Sequence, residues 1–127
     1  MEINVIVIGA LFLLAWACNG MMDRIQFHWD TAPQWMKKLD WFFNPEKSWI
    51  RKWKVDSKSK PVYKDGKLVP RFFLSDTLLV SFTDGWHLLK WIMTESICIA
   101  LAIATGVWWY YFIFRTIVII GFRLTYR

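Results

Sequence analysis

Two stretches of this chain are long and apolar enough to cross a lipid bilayer, and no other feature restricts its possible folds so tightly. The first, Ile3 to Met22, is twenty residues in which Asn4 and Asn19 are the strongly polar members. At about 1.5 Å per helical residue it extends roughly 30 Å, the thickness of the hydrocarbon layer. The second, Ile97 to Phe114, has eighteen residues without a charge.

Composition agrees with a bilayer setting. The 127 residues are 56% hydrophobic, include ten Trp and ten Phe, and still carry a net charge of +6. One small soluble core cannot hide ten indoles together with both apolar runs. Tryptophan mixed with Lys and Arg suits the wet boundary of a membrane, where the ring is buried, the indole N–H stays hydrated and basic groups meet lipid phosphate. A basic, aromatic chain can also stack on single-stranded nucleic acid, but that gives the apolar runs no purpose, so nucleic acid is excluded as a partner. Cys18 and Cys98 both lie within apolar segments and read as small buried hydrophobes, with no disulfide or zinc spacing. "LLAWAC" looks like a lipoprotein cleavage box, yet Trp16 stands where small residues are wanted and no basic residue precedes the run. The segment is expected to remain as an anchor.

The expected fold is an all-α membrane protein: a two-span transmembrane helical hairpin with a basic, Trp-rich interfacial lobe of short amphipathic helices and a small β-hairpin. Residues 1–29 form the first helix and its polar end. Residues 30–72 form the lobe. Residues 73–127 form a long second helix, with a polar half over 74–92, a spanning part over about 93–122 and a basic tail.

In the lobe, Asp30 or Thr31 is placed to cap a helix with Pro33 near its first turn. Trp35, Met36, Leu39, Phe42 and Phe43 then give it an apolar side against Lys37 and Lys38. "NPEKSWIRKW" repeats the signal: Asn44 as cap, Pro45 first, Glu46 in the first turn, then Trp49, Ile50 and Trp53 among basic residues. Such helices lie in the membrane interface, or pack on each other as an ordinary small lobe. "PVYKDGKLVP" predicts a hairpin turning at Asp65-Gly66, with Pro61 and Pro70 limiting further sheet growth. The residues expected at the interface are Trp35, Trp41, Trp49 and Trp53 in the lobe, and Trp108, Trp109 and Arg115 at the end of the second apolar run.

No proline interrupts Leu74 to Phe122, and the pattern is helical. A continuous helix over 77–122 would be about 69 Å long, more than the roughly 40–45 Å of a bilayer with its headgroups. It must project, bend near Gly85 or Gly106, or lie along the surface. Eleven Lys and Arg against four acids between Lys37 and Arg71 put that loop in the cytoplasm and the N-terminus outside. With two spans the C-terminus is also outside, which leaves Arg115, Arg123 and Arg127 on the less favoured side. A third span through 72–90 must bury Asp76, Asp84, His87 and Lys90 at about 2.5–3.5 kcal/mol for each charge, so two spans are preferred.

The polar residues near the spans carry the candidate chemistry. Asn19, Asp23 and Gln26 make a stripe at the end of the first helix, with His28 about 140° round from Asp23. Asp84, His87 and Glu95 fall at i, i+3 and i+11 on the second. If the two helices pair, Asp23, His28, Asp84, His87 and Glu95 form a potential ligand set for a divalent metal, and the two histidines a potential axial pair for haem b. The simpler expectation is a hydrogen-bonded seam that fixes helix packing, with Asp84 and His87 turned toward helix one. No catalytic residue is assigned.

Two resemblances touch these residues. Asn19-Gly20-Met21-Met22-Asp23-Arg24 is similar to the Gly-Asn-x-x-Asp-Arg signature of aspartyl lipoprotein signal peptidases, but the asparagine comes one place early and that family needs a four-span bundle. "NGMMDRIQFHW", "FFNPEKSWIRKWK" and "FLSDTLLVSFTDGWHLLK" together resemble a group of small two-span membrane proteins of bacteria and their phages. That resemblance covers about a third of the chain and implies a paired-motif fold, with no activity to carry over. The expected role is a structural or accessory subunit of a membrane assembly, as a homo-oligomer or in a larger complex, in contact with anionic lipid headgroups. The alternatives are a phage membrane-permeabilising or virion membrane protein, and a membrane enzyme using the Asp/His cluster.

Overall fold

The computed structural model describes residues 2–76 and 79–125, with side chains from 3 to 76 and from 79 to 121. The chain divides into two compact units. One joins the N-terminal stretch as far as Asn19 to the chain from Trp91 onward, and the other runs from Gly20 to Lys90.

Helix α1 covers Glu2–Phe27, five residues past the expected end of the apolar run. Its 26 residues extend about 39 Å. Ala15, Cys18, Met22 and Ile25 are its buried apolar positions. They recur at i, i+3, i+7 and i+10, the spacing of a helix–helix seam, with small residues where close approach is easiest. Away from this seam the helix is bare: Ile3, Ile6, Leu13 and Trp16 are 76, 71, 73 and 74% exposed.

In the first unit α1 lies beside α5, which covers Gly85–Thr105. Trp16 and Asn19 share a recess with Met93 and Ile97, while Asn4 shares another with Ile99 and Gly106. The two helices therefore run antiparallel. The long second helix expected over 73–127 is divided at two places. Gly106 takes the left-handed φ of +69°, and its N–H bonds back to the Ile103 carbonyl, which stops α5. After a short turn, α6 covers Tyr110–Thr125.

Residues 74–76 and 79–84 are also not part of a long helix. Leu74 has a φ of +59°, and Val80–Phe82 is a single 3-10 turn. The absence of proline was misleading here because hydroxyls compete for the backbone. Ser75 Oγ accepts from Arg71 N–H at 3.0 Å, and Thr83 Oγ1 donates to the Val80 carbonyl at 2.7 Å.

The second unit holds the lobe, as short helices and one hairpin. Helices α2, Gln34–Lys38, and α3, Asp40–Phe43, place Met36 and Phe43 in its core, with Trp35 edge-on to Phe43 at 5.4 Å. Neither Asp30 nor Thr31 caps α2: Pro33 occupies that place, and the Thr31 hydroxyl bonds back to the His28 carbonyl. Helix α4, Pro45–Ser48, begins as the sequence predicts, with the Asn44 side chain accepting from Glu46 N–H at 3.0 Å and Pro45 in the first turn.

Strands β1, Tyr63–Lys64, and β2, Lys67–Leu68, pair antiparallel around Asp65 and Gly66, whose φ values of +52° and +74° are those a two-residue turn requires. The flanking prolines do not close off this sheet. Trp53 bridges Pro70 and Val55 bridges Pro61, while Lys54 donates its N–H to the Val69 carbonyl and accepts from Val62 N–H. The bonds of both bridges are made by the residues beside each proline, Arg71 N–H to the Lys52 carbonyl next to Pro70 and Asp56 N–H to the Lys60 carbonyl next to Pro61, so the missing proline N–H is not needed.

Candidate functional site

The polar residues of "TDGWHLLK" find their hydrogen-bond partners locally. Asp84 sits just before α5 and accepts from His87 N–H at 3.0 Å, the side-chain bond of a helix N-cap. His87 Nδ1 lies 2.7 and 2.9 Å from the two carboxylate oxygens, and the Thr83 hydroxyl donates to the same group at 3.2 Å. The third helical residue thus bonds the capping carboxylate with both its backbone N–H and its ring. Asp84 is 3% exposed. Burial pushes its carboxyl toward a higher pKa, but the His87 side-chain and backbone bonds and the Thr83 hydroxyl outweigh that and hold it below the usual range.

The partners of Asp84 and His87 are therefore each other and Thr83, and not helix one as the pairing argument expects. Asp23 and His28 are exposed at the end of α1. There Arg24 bonds the Thr31 carbonyl at 3.2 Å, closing the turn that follows the helix. Among the described residues no three His, Cys, Asp or Glu side chains gather as a metal would require. Asp84 is engaged in its own cap, and Glu95 bonds side chains of α6.

Glu95 belongs to the first unit, where it forms the second polar cluster. Tyr111 OH donates to Glu95 Oε2 at 2.5 Å, and Arg115 Nε donates to Oε1 at 2.6 Å. Both partners lie on α6, one turn apart, so that helix folds back along α5. Arg115, expected to snorkel toward an interface, has its guanidinium committed to a carboxylate among apolar residues. Sequence reasoning missed this cluster because Tyr111 and Glu95 are sixteen residues apart and only the turn at Gly106 brings them together.

Of the aromatic residues expected at an interface, Trp35, Trp41, Trp49 and Trp109 are about half exposed and Trp108 is 75% exposed. Trp53 is half-buried. Ser75 was also missed. It is fully buried, accepts from Arg71 N–H and donates to the Lys52 carbonyl at 2.7 Å, tying two stretches of the lobe that are distant in sequence. A lone serine before an aspartate carries no sequence signal for that role. Comparison of the chain with protein-family models, curated proteins and solved structures finds no match.

Proposed function

We propose that this chain is a non-enzymatic integral membrane protein that serves as a small structural or accessory subunit of a membrane assembly, with residues 37–71 in the cytoplasm. The observation that carries this reading is the bare surface of α1. Large side chains stand mostly exposed along a helix of spanning length, at a cost in water of about 25 cal/mol for each Å² that lipid would remove. Helix α5, with 21 residues, is also long and apolar enough to span. The two polar clusters have structural work that accounts for them, one capping α5 and the other joining α5 to α6, which favours a scaffold over an enzyme.

The fold-back of α6 supports a revised topology. Its 16 residues reach about 24 Å, so it returns through most of a bilayer beside α5. The ionised pair Glu95–Arg115 then lies within the apolar layer, where charges are tolerated when paired. The end of α6 comes back to the cytoplasmic face, and Arg123 no longer opposes the positive-inside rule, as it did with the C-terminus outside.

Alkaline carbonate extraction tests membrane residence: the protein should stay with the membranes, and release into the supernatant would overturn the reading. Sizing in mild detergent tests the subunit role. A mass above one chain plus micelle supports it, while a strict monomer that makes vesicles leak a small dye would point to a permeabilising protein instead.

A further inference from the structure

We propose that a cleft in the second unit binds a phosphate-bearing ligand, with Arg51, Lys54 and Arg71 meeting the phosphate oxygens and Trp41 and Trp53 forming its walls. The cleft has a volume of about 650 Å³ and is lined by these five residues among others. That is the size of a small-molecule site rather than a crease.

The main chain that carries Lys54 and Arg71 is fixed, and the Arg51 side chain is itself held. Lys54 N–H donates to the Val69 carbonyl at 2.8 Å and Arg71 N–H to the Lys52 carbonyl at 2.9 Å, so the stretches carrying Lys54 and Arg71 are stitched side by side. Arg51 is fixed from two directions. Its Nε donates to the Thr83 carbonyl at 3.1 Å, and its guanidinium lies 4.1 Å above the Trp41 ring.

These charges are not balanced from within. Among the described residues lining the cleft one is acidic, Asp40, and it is bonded by Lys47 and Asn44. Burial, and then the neighbouring Arg71, disfavour the charge on Arg51, and Asp84 offsets this only in part. An anion seated between Arg51 and Arg71 removes that repulsion. The guanidinium fork matches phosphate oxygens in pairs, and a lysine adds a point charge. A lipid phosphodiester and free phosphate share this chemistry. The lipid source rests on the membrane reading above, whereas the site itself does not.

The test uses the full chain in non-ionic micelles, with tryptophan fluorescence and native mass spectrometry as readouts. The probes are dioctanoyl phosphatidylglycerol, dioctanoyl phosphatidylcholine and inorganic phosphate. Saturable one-to-one uptake of phosphatidylglycerol in preference to phosphatidylcholine, weakened roughly tenfold in the Lys54→Gln/Arg71→Gln variant, is the expected result. Lys58→Gln/Lys67→Gln, which removes the same charge elsewhere, should leave it unchanged. If the double variant melts, Lys54→Gln alone should still weaken uptake, since that side chain is exposed. A saturable response to inorganic phosphate alone, lost in the cleft variant, supports the site with free phosphate as its occupant. No saturable response to any probe, or equal weakening by both double variants, overturns the proposal. Carbonate extraction of the same preparation reads membrane residence separately, so the two ideas fail independently.

Discussion

The Phe43 ring fills the space that a side chain on Gly85 would need: a Cβ there would lie 2.1 Å from Phe43 Cδ1 and 2.5 Å from Cε1. The sequence suggests Gly85 as a place where one long helix bends. Its actual neighbour is an aromatic residue of the lobe, packed onto the first turn of α5.

Gly85→Ala should therefore destabilise the second unit, by about 1–3 kcal/mol, because the ring is buried and must shift. Phe43→Leu should lose packing by itself, yet recover part of the loss when combined with Gly85→Ala. Melting midpoints of the four proteins in one detergent give the coupling directly. Strict additivity would show that these two positions do not touch.

The Asp84 cap should leave a mark on acid stability. Its folded pKa is held below the ordinary value, so its contribution is complete above the unfolded value of about 3.9 and is lost as pH falls through the folded one. Asp84→Ala should cost about 0.5–2 kcal/mol near neutral pH. Asp84→Asn, still an acceptor for His87 N–H, should cost less and flatten the acid limb. Melting midpoints followed from neutral pH to below pH 4 check this, and an unchanged acid limb in Asp84→Asn would assign the acid loss to other carboxylates.

Ser75→Ala removes the hydroxyl that accepts from Arg71 N–H and donates to the Lys52 carbonyl. Arg71 N–H and the Lys52 carbonyl still bond each other at 2.9 Å, so the loss to the lobe should be that of an ordinary hydrogen bond, about 0.5–1.5 kcal/mol. Amide exchange at Arg71 and Trp53 should accelerate, while amides of α1 before Asn19 keep their protection. Uniform acceleration throughout would mean the serine acts on global stability and not on this junction.

What the sequence reveals here follows from the range of each interaction. The Asn44-Pro45 start of α4 and the Asp65-Gly66 turn depend on two or three adjacent residues, so their spacing alone is informative. The spanning lengths of α1 and α5 follow from apolar composition. The break at Gly106 is only half visible: a glycine permits a positive φ, but the aromatic run after it reads equally well as more helix. Asp84 and His87 share a face by spacing, yet spacing cannot distinguish a cap bond within one turn from a contact across to another helix. Glu95 with Tyr111 and Arg115, and the cleft of Arg51 with Arg71, join residues sixteen and twenty apart. No local pattern encodes such contacts.

The Glu95–Arg115 pair should be far more costly to break than to replace. Arg115→Leu leaves a carboxylate among apolar side chains with Tyr111 as its remaining partner from this cluster. A loss of about 3–5 kcal/mol is expected if the site is dry. Glu95→Leu combined with Arg115→Leu should recover much of that. Tyr111→Phe should cost about 1–3 kcal/mol, in keeping with a hydrogen bond to a charged group. Thermal stability of all three in the same bilayer mimetic decides the matter, and equal losses in the single and double leucine variants would show that the pair contributes no coupling.

The fold-back also decides which side of the membrane the chain's end should reach. If α5 crosses outward from the lobe and α6 returns beside it, a reporter fused after Arg127 should be active in its cytoplasmic form, matching a reporter or a cysteine label at Ser57. A straight continuation of α5 into α6 would instead deliver the fusion outside. The prediction depends on the pair that holds α6: in Glu95→Leu, with Arg115 left unpaired in hydrocarbon, that helix should lose its preference and the fusion should read on both sides. The energy at stake is a few kcal/mol for one unpaired charge at mid-membrane, enough to redistribute a helix of marginal spanning length. A fusion found wholly outside in the unmodified chain would rule out the three-helix topology. A fusion that stays wholly cytoplasmic in Glu95→Leu would show that other packing, not this ion pair, turns α6 back.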